Sequence, residues 1–190
     1  MQVVTTAIFF PDIILPTRDA HKLRGYFGRL FQEHSPLLHN HLEGGGLRYG
    51  YPLVQYKVVG GVPVLFGLGE GARLLVRLFT GIKELVIGGQ TIPLYNKRIE
   101  LHKTGVGVFE GLHTYTFGTL WMGLNQKNYP QYFSADAAGQ KQQLEKILTG
   151  NILSFFKGVG YWAPQTLLVT TSLQAHKAKF KDQTMTAFRG

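Results

Sequence analysis

Apolar and polar positions alternate through the first 90 residues in a pattern that predicts four strands and two helices. Runs rich in β-branched and aromatic residues predict strands at 3–10, 48–59, 62–68 and 83–88. Apolar positions spaced three and four apart predict helices over 19–34 and around 72–79. The Gly60-Gly61 pair predicts a tight turn between the second and third strands. The order β-α-β-β-α-β is that of a ferredoxin-like (RRM-like) unit.

The second half of the chain predicts more strands and one long helix. Gly88-Gly89 is the candidate boundary, which gives an N-terminal lobe over 1–89 and a C-terminal lobe over 90–190. The longest helix is predicted at 136–157. Strands are predicted at 91–103, 106–109, 112–122, 166–176 and 179–188. A second ferredoxin-like lobe built from these elements would be degenerate.

The composition indicates a globular, basic protein. Hydrophobic residues make up 44% of the chain, and no apolar run reaches the roughly 18 residues of a membrane span, so we expect no membrane association. Twenty Lys and Arg against eleven Asp and Glu give a formal charge of +9, which favours a polyanion such as nucleic acid. The absence of cysteine excludes disulfides and thiolate metal sites, and it favours a reducing, cytoplasmic location.

Two histidines, His39 and His41, lie one residue apart in the loop before the second strand. In an extended segment, positions i and i+2 point to the same side. Three interpretations are open: solvated loop side chains, an acid/base pair beside a phosphate, or a metal site with Glu43 as third ligand. An imidazole suits proton transfer near neutral pH because its ordinary pKa is about 6.5.

The predicted strand 48–59 presents aromatic and cationic side chains on one face. Tyr49, Tyr51 and Lys57 share that face, Val54 lies on the other, and Arg48 opens the strand. Such a face suits RNA bases and phosphates, although tyrosines covering a neighbouring loop would give the same pattern. Other cations that fit either an RNA backbone or a solvated surface are Lys97, Arg98, Lys103 and Lys157.

Two further patterns favour simpler interpretations. Asn125 and Asn128 follow an aromatic segment and are typical of side-chain amides that cap a turn. The segment from His102 to Thr104 is a single His-x-Thr motif. A two-histidine phosphoesterase needs a second such motif, and residues 113–115 do not supply it.

Four segments occur in an order typical of one protein family. They are HNH…RYGYPLVQYK at 39–57, GVPVLFGLGEGA at 61–72, LWMGLNQKNYPQY at 120–132 and LEKILTGNILSFFK at 144–157. On these segments the chain resembles the b-type CRISPR-associated repeat-cleaving endoribonucleases, the Cas-six family. The similarity runs from 39 to 157 and continues more weakly to 188.

The resemblance implies an α+β fold of two tandem ferredoxin-like lobes. The N-terminal lobe would carry the catalytic histidine loop, and the C-terminal lobe would bind RNA. Family members continue past the segment that resembles 185–190 into another strand and a glycine-rich loop, so the second lobe is expected to be degenerate or truncated at its C-terminal end.

The resemblance also implies an activity, which is cleavage of precursor CRISPR RNA within its repeats without metal or cofactor. The RNA 2′-hydroxyl would attack, leaving a 2′,3′-cyclic phosphate and a 5′-hydroxyl. His39 and His41 become the acid/base candidates, and Tyr49 and Tyr51 the supporting phenols. The implied partners are repeat RNA before and after cleavage, a CRISPR effector complex and a second copy of the chain. The competing function is a non-catalytic RNA-binding subunit of such a complex.

Overall fold

A computed structural model describes residues 1–30, 50–164, 166–180 and 183–190. The strands and helices are β1 (Gln2–Phe9), α1 (Ala20–Leu30), β2 (Val54–Val59), β3 (Val62–Leu68), α2 (Glu70–Leu78), β4 (Glu84–Ile87), β5 (Gln90–Pro93), β6 (Arg98–Gly105), α3 (Tyr129–Ser134), α4 (Ala137–Gly158), β7 (Gln174–Phe180) and β8 (Gln183–Arg189). They form two compact units, one made of 1–106 and 157–161, the other of 107–156 and 162–190. Among the described helices, none has the length and apolarity needed to cross a lipid bilayer.

The first unit contains a four-stranded antiparallel sheet in the order β2-β3-β1-β6. Ile8 of β1 lies opposite Leu65 of β3 and Ile99 of β6, which fixes the register of the three strands. These side chains contribute to a core that also contains Phe27 of α1 and Leu75 of α2, both fully buried. The strand order and the two helices are those of a ferredoxin-like lobe, as the sequence predicts.

The fourth strand of this sheet is β6, and the prediction of 83–88 for that position is wrong. β6 pairs with β1 along its whole length. β4 instead pairs with β5 in a separate hairpin. Gly88 and Gly89 form the turn of that hairpin at φ of 61° and 83°, values that suit glycine. They are therefore not a linker, and the first unit extends to Val106 rather than ending at 89.

Other predicted boundaries also shift. β2 begins at Val54 rather than 48, and the predicted strand 91–103 is two strands, β5 and β6. The segment predicted as strands at 106–109 and 112–122 contains only an isolated bridge at Trp121. The long helix α4 lies within one residue of its predicted limits.

The second unit repeats only part of the ferredoxin-like pattern. β8 pairs with β7 along one edge, and on the other edge Trp121 and Phe188 exchange two backbone hydrogen bonds of 2.8 Å. The resulting order, β7, β8 and the Trp121 segment, resembles the β2-β3-β1 portion of the first sheet. In the sequence, α4 lies between the Trp121 segment and β7. Within the described residues, no strand occupies the position that β6 holds in the first unit. The expectation of two ferredoxin-like lobes, the second degenerate, is thereby confirmed.

The contact between α2 and the segment before β2 gives a test of the packing in the first unit. A Cβ at Gly71 would overlap the backbone carbonyl of Leu53, whose oxygen accepts a 2.9 Å hydrogen bond from the Leu68 amide. We expect Gly71→Ala to lower the free energy of unfolding by about 1–3 kcal/mol because the packed backbone must move. Urea denaturation followed by circular dichroism measures the change, because the two tryptophans, Trp121 and Trp162, both lie in the second unit.

Gly25 in α1 is the matched control, since no described atom lies within 4 Å of a Cβ placed there. Gly25→Ala should raise the stability by about 0.5–1 kcal/mol because alanine is the better helix former. A Gly71→Ala protein as stable as the wild type would contradict the close approach of α2.

Candidate nucleic-acid interface

The structure describes one of the four predicted catalytic side chains, that of Tyr51. His39, His41 and Tyr49, and the predicted RNA contact Arg48, lie outside the described residues, so their roles stay predictions. In the described part of the chain, no three His, Cys, Asp or Glu side chains come together in a group that could hold a metal ion.

Tyr51 is half-buried at the entrance to β2 and is held from two sides. Its phenolic oxygen accepts a hydrogen bond of 3.1 Å from the Gln55 side-chain amide. Gly158, at the end of α4, packs so close that a Cβ there would lie 2.5 Å from the Tyr51 Cβ. The glycine is therefore required for the ring to occupy this position.

β2 alternates between the core and the opposite face of the sheet, as its sequence predicts. Val54 and Val58 are buried among the helices. Tyr56 belongs to the same side, stacked on Phe27 with a centroid distance of 6.2 Å. Desolvation raises the pKa of Tyr56 to about 12, although the positive charge of Arg24 acts in the other direction. Tyr56 is thus a core residue and not part of the candidate interface.

Lys57 and Arg98 lie over aromatic rings on the face opposite the helices. The Lys57 ammonium is 5.8 Å from the centroid of the Phe66 ring, and the Arg98 guanidinium is 4.5 Å from that of Phe9. Both cations remain exposed, and desolvation by the surface beneath lowers the pKa of Lys57. Arg98 also forms a 3.3 Å ion pair with Glu100, so its charge is partly neutralised.

Two other predicted RNA contacts, Lys103 and Lys157, lie on different elements, β6 and α4. Lys103 is exposed on β6, but strand alternation places it on the same side as Ile99 and opposite to Arg98. Lys157 is exposed at the last turn of α4, where its carbonyl accepts a 3.1 Å hydrogen bond from Gly160. His102 of the single His-x-Thr motif is not among these contacts; it lies 3.7 Å from Glu100, on the same side of β6 as Arg98. Lys103 therefore does not share a patch with Lys57 and Arg98.

Lys97 has contacts that favour a structural role over RNA binding. Its ammonium donates hydrogen bonds to the carbonyls of Phe79 and Ile82, at 2.7 and 2.6 Å. It also lies 4.7 Å from the centroid of the Phe79 ring. These carbonyls end α2 and the turn that follows it, where a cation satisfies unpaired acceptors and complements the helix dipole. Desolvation lowers the pKa of Lys97, and the nearby positive charge of Lys83 lowers it further.

The amide-rich turn before α3 is structural, as one interpretation of its sequence predicts. The Asn125 side chain accepts hydrogen bonds from the backbone amides of Lys127 and Asn128, at 2.9 and 3.1 Å. The Asn128 side chain accepts one of 2.6 Å from the Asn125 amide in return. Gln143 of α4 donates to the Asn128 carbonyl at 2.8 Å and so ties the turn to the long helix.

Sequence reasoning missed Phe9 and Phe66, the aromatic residues beneath the two cations. Alternation in β1 and β3 puts them on the face opposite Ile8 and Leu65, which would have indicated that they are not core residues. Their pairing with Arg98 and Lys57 depends on the register of four strands, which no local pattern provides.

The fold and the exposed cations define a basic protein of two tandem ferredoxin-like lobes. Models of the Cas6b N-terminal domain and the Cas6b C-terminal domain match residues 1–105 and 107–190 of the sequence. The chain therefore belongs to the Cas6b family. The junction of the two matched domains coincides with the division between the two units of the structure.

Two solved structures agree with this assignment, and one curated relative is similar in sequence. A crystal structure of Cas6b is 33% identical, with a TM-score of 0.91 over all of this chain and 87% of its own. A second crystal structure, of the CRISPR RNA processing endoribonuclease Cas6b, is 29% identical, with a TM-score of 0.77 over all of this chain and 86% of its own. The uncharacterized protein MJ0978 of Methanocaldococcus jannaschii is 37% identical over 90 residues, which are 47% of this chain and 61% of that protein. The chain thus matches less than two thirds of that relative's length.

The contacts of Lys97 predict that its removal destabilises the protein more than removal of an exposed lysine does. Lys97→Met should lower the free energy of unfolding by about 1–3 kcal/mol, because the two backbone carbonyls that accept hydrogen bonds from Lys97 lose their charged donor. Lys103→Met, which removes an exposed lysine of the same region, should change stability by less than about 0.5 kcal/mol. Chemical denaturation of both variants checks the difference, and equal stabilities would contradict the structural role of Lys97.

Proposed function

We propose that this chain is an endoribonuclease that processes CRISPR RNA by cutting precursor transcripts within their repeats. The observation that carries the proposal is the match of both Cas6b domains, in order, over nearly the whole chain. The similarity to a solved CRISPR RNA processing endoribonuclease supports it. The formal charge of +9 is consistent with a polyanionic substrate.

The proposed chemistry uses the RNA as its own nucleophile. A general base removes the proton of a ribose 2′-hydroxyl, and that oxygen attacks the adjacent phosphorus. A general acid protonates the departing 5′-oxygen, so the products are a 2′,3′-cyclic phosphate and a 5′-hydroxyl. This route needs no metal-activated water, because the attacking oxygen is already held beside the phosphorus by the ribose.

The proposed acid and base are His39 and His41. An imidazole exchanges protons near neutral pH, and two of them can serve the two ends of an in-line displacement. Tyr49 and Tyr51, with Arg48 or Lys57, would stabilise the charge that develops on the phosphoryl oxygens. Tyr51 is the one of these phenols that the structure describes. The hydrogen bond from Gln55 and the packing of Gly158 support a fixed position for its ring.

The proposed macromolecular partners are repeat RNA, a second copy of the chain and a CRISPR effector complex. Large side chains of the second unit support a protein contact: Tyr115 and Trp162 are 85% and 74% exposed. Aromatic residues exposed to this extent are typical of interface positions.

Replacing the two histidines tests the catalytic proposal. We expect His39→Ala and His41→Ala each to reduce single-turnover cleavage of a repeat-containing RNA by about 10²–10⁴-fold, because each removes one proton-transfer group. Affinity for the RNA should change little. The reaction is run in EDTA, and the new ends are identified by their phosphate chemistry. His176→Ala is the control, since this histidine is exposed on β7.

Three other outcomes of that experiment would contradict the proposal. Wild-type rates in both single variants would exclude the two histidines from catalysis. Binding of repeat RNA without cleavage by the wild-type protein would indicate the RNA-binding subunit instead. Cleavage in Mg²⁺ that disappears in EDTA would indicate a metal-dependent nuclease.

Tyr51→Phe tests the supporting phenol. Loss of one hydrogen-bond donor to a developing charge should slow the chemical step by about 10- to 1,000-fold while leaving RNA affinity within a factor of two. Tyr95→Phe is the matched control, because Tyr95 is 89% exposed on a loop before β6. Equal cleavage rates for Tyr51→Phe and the wild type under single-turnover conditions would remove Tyr51 from the proposed mechanism.

A further inference from the structure

The strand β6 (Arg98–Gly105) forms one edge of the first sheet, where it pairs with β1 on one side only. Within the described residues, no strand pairs with its other side. Residues 101–105 are all exposed, and the Leu101 side chain at the middle of the strand is 52% exposed. An edge of this kind presents a row of backbone donors and acceptors to which another strand can add.

The pairing with β1 determines which backbone groups of β6 point outward. Met1 and Val106 exchange two hydrogen bonds of 2.8 Å, so they form a hydrogen-bonded pair just beyond the end of the strand. Such pairs alternate with non-hydrogen-bonded pairs along an antiparallel ladder. Because Val106 bonds to β1, the even-numbered residues of β6 do so as well. The odd-numbered residues Ile99, Leu101 and Lys103 therefore direct their N–H and C=O groups away from the sheet.

Side chains of opposite charge lie two positions apart on this strand. The Glu100 carboxylate is 3.3 Å from the Arg98 guanidinium and 3.7 Å from the His102 imidazole, all on one side of β6. Leu101 lies between the carboxylate and the imidazole in the sequence, on the other side of the strand. An acidic and a basic residue that flank a central apolar residue can complement a second copy of the same strand.

A second β6 can add to this edge in the antiparallel direction about a two-fold axis. One register places Leu101 on the axis, opposite Leu101 of the second copy. Glu100 of each copy then lies opposite His102 of the other copy. A slip of two residues in one direction puts Glu100 opposite Glu100, and a slip in the other direction puts His102 opposite His102. Like charges directly opposite are destabilising, so the charges favour the register centred on Leu101.

The same register satisfies the outward backbone groups of both copies. Leu101 pairs with itself, and Ile99 pairs with Lys103 of the second copy, all at hydrogen-bonded positions. Glu100 and His102 fall at the non-hydrogen-bonded positions between them, where Cα atoms approach to about 4.5 Å and side chains are closest. The overlap is Arg98 to Thr104, which is a small contact. Interfaces below about 1,200 Å² are typical of weak, concentration-dependent association.

We infer that two copies of the chain associate by antiparallel pairing of their β6 strands, with Leu101 on the two-fold axis. The first units of the two copies would share one continuous sheet of eight strands, four from each copy. The inference rests on the proposed function in taking a second copy of the chain as a partner, and it adds the backbone edge and the register that make the contact.

Single-cysteine variants test the register, because the chain contains no cysteine of its own. Leu101→Cys would place two thiols at a hydrogen-bonded pair with about 5.5 Å between Cα atoms, which a disulfide can span. Diamide serves as the oxidant, and non-reducing electrophoresis follows the covalent dimer. We expect this dimer to form about 10- to 100-fold faster than in control variants, because paired strands hold the thiols at a high effective concentration.

Two control variants distinguish pairing from random collision. Lys103→Cys lies on the same strand, but in the inferred register its two copies are four residues apart along the pair, roughly 13 Å, which is beyond the reach of a disulfide. Leu168→Cys introduces a thiol at a side chain of the second unit that is 93% exposed. Equal rates for Leu101→Cys and Leu168→Cys would overturn the inference, and so would a faster reaction of Lys103→Cys.

Exchange of the two charges provides a second measurement, which a change in folding alone would not reproduce. Glu100→Lys and His102→Glu each put like charges opposite each other, and each should weaken association by about 3- to 30-fold. The double variant Glu100→Lys/His102→Glu restores opposite charges and should recover most of the wild-type affinity. Sedimentation equilibrium at pH 6, where imidazole is mostly protonated, gives the dissociation constants.

Two results of the sedimentation experiment would overturn the inference. One is a wild-type protein that stays monomeric at every concentration measured, and the other is a double variant that associates no more tightly than the single variants. Cleavage of repeat RNA is assayed separately. A protein that cuts RNA without pairing through β6 contradicts only the inferred contact, whereas a protein that pairs through β6 without cutting RNA contradicts only the proposed activity.

Discussion

The first unit depends on β1, which hydrogen-bonds to β3 along one edge and to β6 along the other. Without the second pairing, the sheet would lack its fourth strand, and Arg98 would not lie across from Phe9. The same pairing returns the chain from the β4–β5 hairpin to the free side of β1, a long-range closure that local propensity cannot provide. Tyr26 assists it by donating a 2.7 Å hydrogen bond to the Glu84 carbonyl, which ties the start of that hairpin to α1.

Four of the cations that the sequence marks as RNA contacts, Lys57, Lys97, Arg98 and Lys103, illustrate why net charge alone does not identify an interface. Lys97 is used to complete the end of a helix, and Lys103 projects to the side opposite Arg98. Lys57 and Arg98 share the face of the sheet opposite the helices, where each lies over an aromatic ring. A charge of +9 thus includes side chains that complete the fold, such as Lys97, together with others that are exposed on different faces of it.

Much of the fold could be predicted from sequence where the signal is local. Apolar spacing located α4 within one residue, and the Gly60-Gly61 pair correctly marked the turn between β2 and β3. Residues 83–88 also form a strand, but its sequence could not show that its partner is β5 instead of β1. Gly88 and Gly89 suit a tight turn and a linker equally well, because both need backbone freedom.

The candidate site was less predictable because its contacts join distant residues. Alternation placed Lys57 opposite Val54 correctly, since that relation is a property of one strand. The carbonyls that receive Lys97 lie 15 and 18 residues away, and no motif encodes that contact. The assignment of His39 and His41 to catalysis came from resemblance to a family, and their types alone left metal binding and simple solvation open.

The proposed arrangement divides two demands between different kinds of structure. Proton transfer needs side chains that can approach a particular phosphate, and loops allow their positions to vary with the substrate. Positioning the RNA backbone needs fixed spacing, which a four-stranded sheet supplies because its side chains are set by register. In the proposed function, discrimination between repeats would then arise from contacts to base edges or to RNA shape, while the sheet supports the residues that hold the backbone.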